Sequence, residues 1–146
     1  MIYLATDHRG YELKEKIKEW LSEWGFQYED MGAFRYNQED DYPDFIHQAA
    51  KAVANDPENN KAIILGGSGQ GEAMAANRHK GVRAAVYYSD SKEMVKMSRE
   101  HNNANILSLG TSFLSEETAR MAIKLWLETP FSGGERHKRR IKKIDL

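Results

Sequence analysis

Residues 61–72 read Lys61-Ala62-Ile63-Ile64-Leu65-Gly66-Gly67-Ser68-Gly69-Gln70-Gly71-Glu72. A short apolar run without polar alternation is the pattern of a strand buried on both faces. It enters a glycine-rich turn, Gly66–Gly71, and the residues from Glu72 to His79 open a helix. The same strand-then-helix pattern recurs on either side. Ile2–Thr6 reads as a strand. Tyr11–Trp24 places Leu13, Ile17, Trp20, Leu21 and Trp24 at helical spacing and stops at Gly25. Phe26–Glu29 is a weak strand, Gly32–Asp41 a polar loop, and Phe45–Ala54 a helix with Pro43 near its first turn. Downstream follow a strand at Val82–Tyr88, a helix at Ser91–Glu100, a strand at Ile106–Leu109, a helix at Ser115–Glu128 and a basic helix at Glu135–Ile144. Repeated β–α alternation predicts an α/β fold, a parallel sheet covered by helices on both faces. Ligands in such folds bind at the carboxyl ends of the strands. Here those ends fall at Asp7–His8, Gly66–Glu72, Ser89–Asp90 and Gly110–Ser112.

The 146 residues fit one domain, 1–146, with no linker or repeat. A core of this size gains from a partner subunit. A net charge of −1 supplies no field toward nucleic acid or an anionic membrane. The absence of cysteine rules out disulfides, zinc–thiolate sites and a thiol nucleophile. No apolar run approaches the ~20 residues of a membrane helix. MIYLATDHRG shows no basic leader, so cytoplasmic residence is the expectation.

The turn itself is the sharpest chemical feature. Glycines let the backbone approach a ligand closely, and the amides of such a turn converge on an anion. Gly67, Gly69 and Gly71 give G-x-G-x-G rather than the dinucleotide G-x-G-x-x-G, with Glu72 where the last glycine belongs. No lysine completes a Walker loop. A carboxylate beside free amides suits proton abstraction next to a carbonyl, with the amides holding the oxyanion. The helix dipole would lower the basicity of Glu72 and desolvation would raise it, so a useful base has to be buried. The competing reading is a carboxylate that only stabilises the first helical turn.

Asp7 and His8 at the end of the first strand suit either proton transfer on a sugar ring or capping of the helix near Tyr11. His101 and Asn102 end a helix, where a histidine also simply favours the dipole. Arg136, His137 and Arg140 share a helical face that suits a phosphate dianion. The run RHKRRIKK, residues 136–143, is equally a solvated basic tail or a weak nucleic-acid contact. Tyr42 either closes over a ligand or anchors its loop.

Taken together, ATDHRGYELK (5–14), DDYPDF (40–45), GGSGQGEAMAANR (66–78), REHNNAN (99–105) and ERHKRRI (135–141) resemble the RpiB/LacA/LacB sugar-phosphate isomerase family over almost the whole chain. The resemblance implies a Rossmann-like three-layer α/β/α sandwich with a five-stranded parallel sheet. It implies a homodimer or dimer of dimers with intersubunit active sites, the C-terminal helix, about 135–144, reaching the partner. It further implies aldose–ketose isomerisation of a small sugar phosphate through an enediolate, with no metal or cofactor, nucleic acid or membrane.

One branch of the family places a cysteine base at the position matching Gly66. The other uses a glutamate after the turn, and Gly66 with Glu72 resembles that branch, associated mainly with ribose 5-phosphate and ribulose 5-phosphate. Glu72 is then the base, Ser68 handles substrate oxygens, and the amides of Gly67, Gly69 and Gly71 stabilise the oxyanion. His101, with Asp7, matches the ring-opening groups. His8, Tyr42, Asn102, Arg136, Arg140 and the adjacent His137 match substrate-binding positions. Many members carry a phosphate-binding arginine where this chain has Ser112. A six-carbon aldose 6-phosphate (allose or galactose 6-phosphate) as substrate, and a non-catalytic sugar-phosphate-binding protein on the same scaffold, stand as alternatives.

Overall fold

A computed structural model describes residues 1–146. Five strands, β1 (Ile2–Thr6), β2 (Tyr28–Asp30), β3 (Lys61–Gly66), β4 (Ala84–Tyr87) and β5 (Ile106–Gly110), form one sheet in the order β2-β1-β3-β5-β4. Every neighbouring pair is parallel. Six helices follow them: α1 (Tyr11–Glu23), α2 (Tyr42–Asn55), α3 (Gln70–Ala76), α4 (Lys92–Glu100), α5 (Glu116–Glu128) and α6 (Glu135–Lys142).

The two faces of the sheet carry two cores. Ile2, Leu4, Ile63, Leu65, Leu107 and Leu109 pack under α1, α4 and α5 through Ile17, Leu21, Val95, Ile123 and Trp126. Ala5, Ala62, Ile64 and Ile106 pack under α2 and α3 through Ile46, Ala50, Val53 and Ala76. Adjacent residues of the unbroken apolar run 61–65 thus serve opposite layers, as strand alternation requires. This is the expected three-layer sandwich. No helix is long and apolar enough to cross a membrane.

Several boundaries differ from the sequence reading. The second strand lies at Tyr28–Asp30, two residues later than expected, because its register against β1 pairs Ile2 with Tyr28. The second helix starts at Tyr42, with Pro43 inside its first turn, where the missing N–H is no loss. The third helix begins at Gln70 and ends at Ala76, and the basic helix ends at Lys142.

All the strands run the same way, so the sheet has two unlike ends. The carboxyl end is formed by the residues after β1, β3 and β5. The amino end is lined by Asn102 to Asn105, where Arg83 Nε donates to Asn102 O at 3.0 Å and Ala62 N to Asn105 O at 3.0 Å.

Candidate active site

At the carboxyl end, β3 delivers the glycine turn and β5 holds it. Thr111 N donates to Gly66 O at 2.8 Å and Ser112 N to Gly67 O at 2.9 Å. The buried Ser108 hydroxyl donates to Gly69 O at 2.6 Å. Gly69 is left-handed, with φ +77°, and a Cβ there would press on the Leu109 backbone. The carbonyls of Gly66, Gly67 and Gly69 are therefore engaged. Its amides are not, since those of Gly67, Ser68 and Gly69 donate to no group in the molecule. Three free N–H groups in succession on one turn are a donor set of the kind that binds anions.

Glu72 lies beside it and is 4% exposed. Its carboxyl lies against Gly66, in the volume that a Cβ at that position would occupy. Oε2 is buried without a hydrogen-bond partner. Burial pushes the Glu72 carboxyl above the usual carboxylate range. Its own backbone amide opposes the shift and the charge of Asp7 adds to it. The burial that a useful base requires at this position is present. A side chain at position 66 would therefore collide with the Glu72 carboxyl as it is placed.

Asp7 is buried and accepts from Arg9 N at 2.9 Å, capping the 3-10 turn His8–Gly10. It is a cap, and it is also a buried titratable group beside His8 and Asp40. Burial, partly offset by that amide, raises its carboxyl above the ordinary value. His8 Nδ1 lies 2.7 Å from Asp40 Oδ1, which also accepts from His8 N at 3.1 Å. Asp40 has an 8% exposed side chain and an unpartnered, buried Oδ2. Sequence reasoning passed over Asp40 as a member of this cluster. Its signal was the acidic run 39–41, which says nothing of a contact 32 residues away. Tyr42 closes the group, its phenol packed on Gly71 so tightly that no Cβ fits between them. Ser68 Oγ accepts from Gln70 N at 3.3 Å. Asp7, His8 and Asp40 could each offer one ligand atom to a cation, these atoms lying within 4.8 Å of one another.

The remaining expected residues lie elsewhere. His101 caps the end of α4 and stacks on His137 of α6, ring centroids 4.5 Å apart at 13°. Ser132, just before α6, donates to Glu100 O at 2.6 Å. Arg136 and Arg140 are exposed and join no ion pair, while Lys138 reaches Glu135 at 3.5 Å. His137 is held below the usual imidazole value, by desolvation first and then by His101, Arg140 and Arg136. This second group sits at the amino end of the sheet. The length of β3, six residues at ~3.3 Å each, separates it from Glu72 within one chain. A cleft of about 310 Å³ lined by Arg83, Asn102, Ile144 and Asp145 also lies at that amino end, away from Glu72.

The family model described as Ribose/Galactose Isomerase matches residues 2–144. Ribose-5-phosphate isomerase B of Mycobacterium tuberculosis is 41% identical over 140 residues, covering 96% of this chain and 85% of that protein. A putative sugar phosphate isomerase of Bacillus subtilis is 37% identical over 143 residues, covering 98% and 93%. The crystal structure of ribose-5-phosphate isomerase B from Mycoplasma genitalium with bound ribulose-5-phosphate aligns with a TM-score of 0.93 at 38% identity, covering 98% of this chain and 92% of that one. A ribose 5-phosphate isomerase from Thermotoga maritima aligns with a TM-score of 0.89 at 41% identity, covering 99% and 96%. Matched along nearly all its length in both sequence and fold, this chain belongs to the ribose/galactose isomerase family and is an isomerase.

Proposed function

We propose that the chain interconverts ribose 5-phosphate and ribulose 5-phosphate, with Glu72 as the base and no step routed through a metal. The observation that supports this most is the pairing of a buried, partner-less carboxylate oxygen with three free amides on one turn. Aldose–ketose isomerisation needs both at once: a base for the C2 proton and donors for the oxygen that becomes negative. The bound ribulose-5-phosphate of the Mycoplasma genitalium relative favours a pentose phosphate as substrate.

The steps follow from the chemistry. His101 and Asp7 open the furanose by moving a proton from the anomeric hydroxyl to the ring oxygen. Glu72 takes the proton from C2, the electron pair forms the C1–C2 double bond of the enediol(ate), and the carbonyl oxygen turns toward the amides of Gly67, Ser68 and Gly69. Gly71 lets the Tyr42 phenol close over the turn. Ser68 relays the proton between O1 and O2, and Glu72 returns its proton to C1. His8, oriented by Asp40, and Arg136, Arg140 and His137 bind the phosphate, and Asn102 binds the sugar.

Because His101, Asn102 and α6 lie at the amino end, a working site takes them from a second copy. The proposal is a homodimer, alone or paired into a dimer of dimers, with each C-terminal helix reaching across to the partner's glycine turn. The test is ribulose 5-phosphate formation from ribose 5-phosphate, with and without a chelator, beside allose and galactose 6-phosphate. Pentose turnover unaffected by the chelator is expected. Turnover confined to a six-carbon substrate, or abolished by the chelator, contradicts it.

A further inference from the structure

One arginine at the carboxyl end has no part in the steps above. Arg9 follows His8 in the 3-10 turn after β1, and its side chain is exposed. It crosses to the loop after β5, where Nη2 donates to Ser112 Oγ at 2.7 Å. On the way it lies over the glycine turn, with Cζ and Nη2 each 3.3 Å from the point a Gly67 Cβ would occupy. Glu72 therefore covers Gly66 and Arg9 covers Gly67. Gly67 has an ordinary backbone, so its lack of a side chain here serves close approach rather than conformation.

The guanidinium is held but not neutralised. None of the seven ion pairs in the molecule includes Arg9. Two carboxylates line the same groove: Glu116 is taken by Lys16 at 3.1 Å, and Glu12 makes no ion pair with Arg9. The one side-chain hydrogen bond of Arg9 goes to a neutral hydroxyl, so most of its five donors stay uncommitted and its charge is matched by no ion pair. A planar fork fixed at one corner, with its other donors uncommitted, suits a tetrahedral oxyanion.

We propose that Arg9, positioned by Ser112, is a substrate-phosphate ligand supplied by the same copy that supplies Glu72. This rests on the proposed sugar-phosphate isomerase reading and adds to it a cation on the base's own side of the cleft. A pentose 5-phosphate carries its charge at the end remote from C1 and C2, so base and guanidinium engage opposite ends of one substrate.

The experiment compares Arg9→Ala, Arg9→Lys and the double variant Arg9→Ala/Ser112→Arg. The readouts are KM and kcat for ribose 5-phosphate, competitive inhibition by inorganic phosphate, and the thermal shift that phosphate produces. Arg9→Ala is expected to raise KM and the phosphate inhibition constant together by roughly 10- to 100-fold, as loss of a charge-assisted contact does. The value of kcat should stay within about threefold. Arg9→Lys keeps the charge without the fork and falls between. The double variant returns a guanidinium from the other end of the same hydrogen bond and restores most of the phosphate affinity, which a purely structural role would not allow. KM and phosphate inhibition unchanged in Arg9→Ala overturn the proposal, as does a loss matched by lowered thermal stability that the double variant fails to recover. A wild-type protein without isomerase activity would instead sink the reading of function, and the phosphate-induced thermal shift would still test Arg9.

Discussion

Glu72 carries a charge where the protein disfavours one. Its pKa is raised by burial above its unfolded value of 4.5, so the folded state holds the proton more tightly than the unfolded chain. Stability then falls as pH rises from the unfolded pKa through the folded one, and the deficit persists at every higher pH. Glu72→Gln should consequently raise the melting temperature at neutral pH and leave it nearly unchanged in acid below the unfolded value. The same change removes the base, with an expected loss of about 10²- to 10⁴-fold in kcat, read by ribulose 5-phosphate formation. Gain of stability with loss of rate is the signature of a strained catalytic carboxyl; loss of both would make Glu72 a structural residue. In the wild type the acid limb of the pH–rate profile should lie above the ordinary carboxylate range, because only the deprotonated form accepts the C2 proton. Gly66→Ala drives a methyl into the Glu72 carboxyl. It should cost about 1–3 kcal/mol in urea denaturation and lower kcat by displacing the base.

Between residue and fold, one buried cation holds the loop that brings Asp40 to His8. Lys14 of α1 is fully buried, and its Nζ donates to Asp30 Oδ1 at 2.6 Å and to Ala33 O at 2.5 Å. Burial lowers the Lys14 pKa. Burial works against the Asp30 carboxylate too, but Lys14, Lys18 and the amide of Gly32 outweigh it and hold that carboxyl below its usual value. Asp30 thus contributes stability above its unfolded pKa, lost as pH falls toward the folded one. Asp30→Asn should cost about 3 kcal/mol, because it leaves a buried ammonium uncompensated, whereas Lys14→Met should be milder. Equal, negligible effects in urea titrations would contradict this role. The strand–turn–helix at 61–76 was legible because its apolar run, glycines and helix formers are local in sequence. Tyr42 as the start of α2 was not, since a proline just after it marks an approaching helix without saying on which residue it begins. The Asp40–His8 bond was out of reach for another reason: it joins segments 32 residues apart, and the loop between them is fastened partly through Lys14 and Asp30, a lysine and an aspartate that look like ordinary surface charges. Ser108 likewise read as a polar residue in a strand, not as the hydroxyl that pins Gly69.

Across the whole molecule the expected site divides, with Asp7, His8, Tyr42, Ser68 and Glu72 at the carboxyl end of the sheet and His101, Asn102, Arg136, His137 and Arg140 at the amino end. The parallel topology imposes this for His101 and Asn102, because α4 must finish where β5 starts, and the His101–His137 stack holds α6 at the same end. A two-fold dimer lets each copy present both ends to its partner, giving two equal composite sites. The most direct measurement of that claim is activity in a purified heterodimer of two inactive copies, one carrying Glu72→Gln and the other Arg136→Ala/Arg140→Ala. One of its two sites then combines an intact Glu72 with intact arginines, and roughly half the wild-type rate on ribose 5-phosphate is expected. A heterodimer no more active than either parent homodimer would show that the base and the arginines do not meet across two copies.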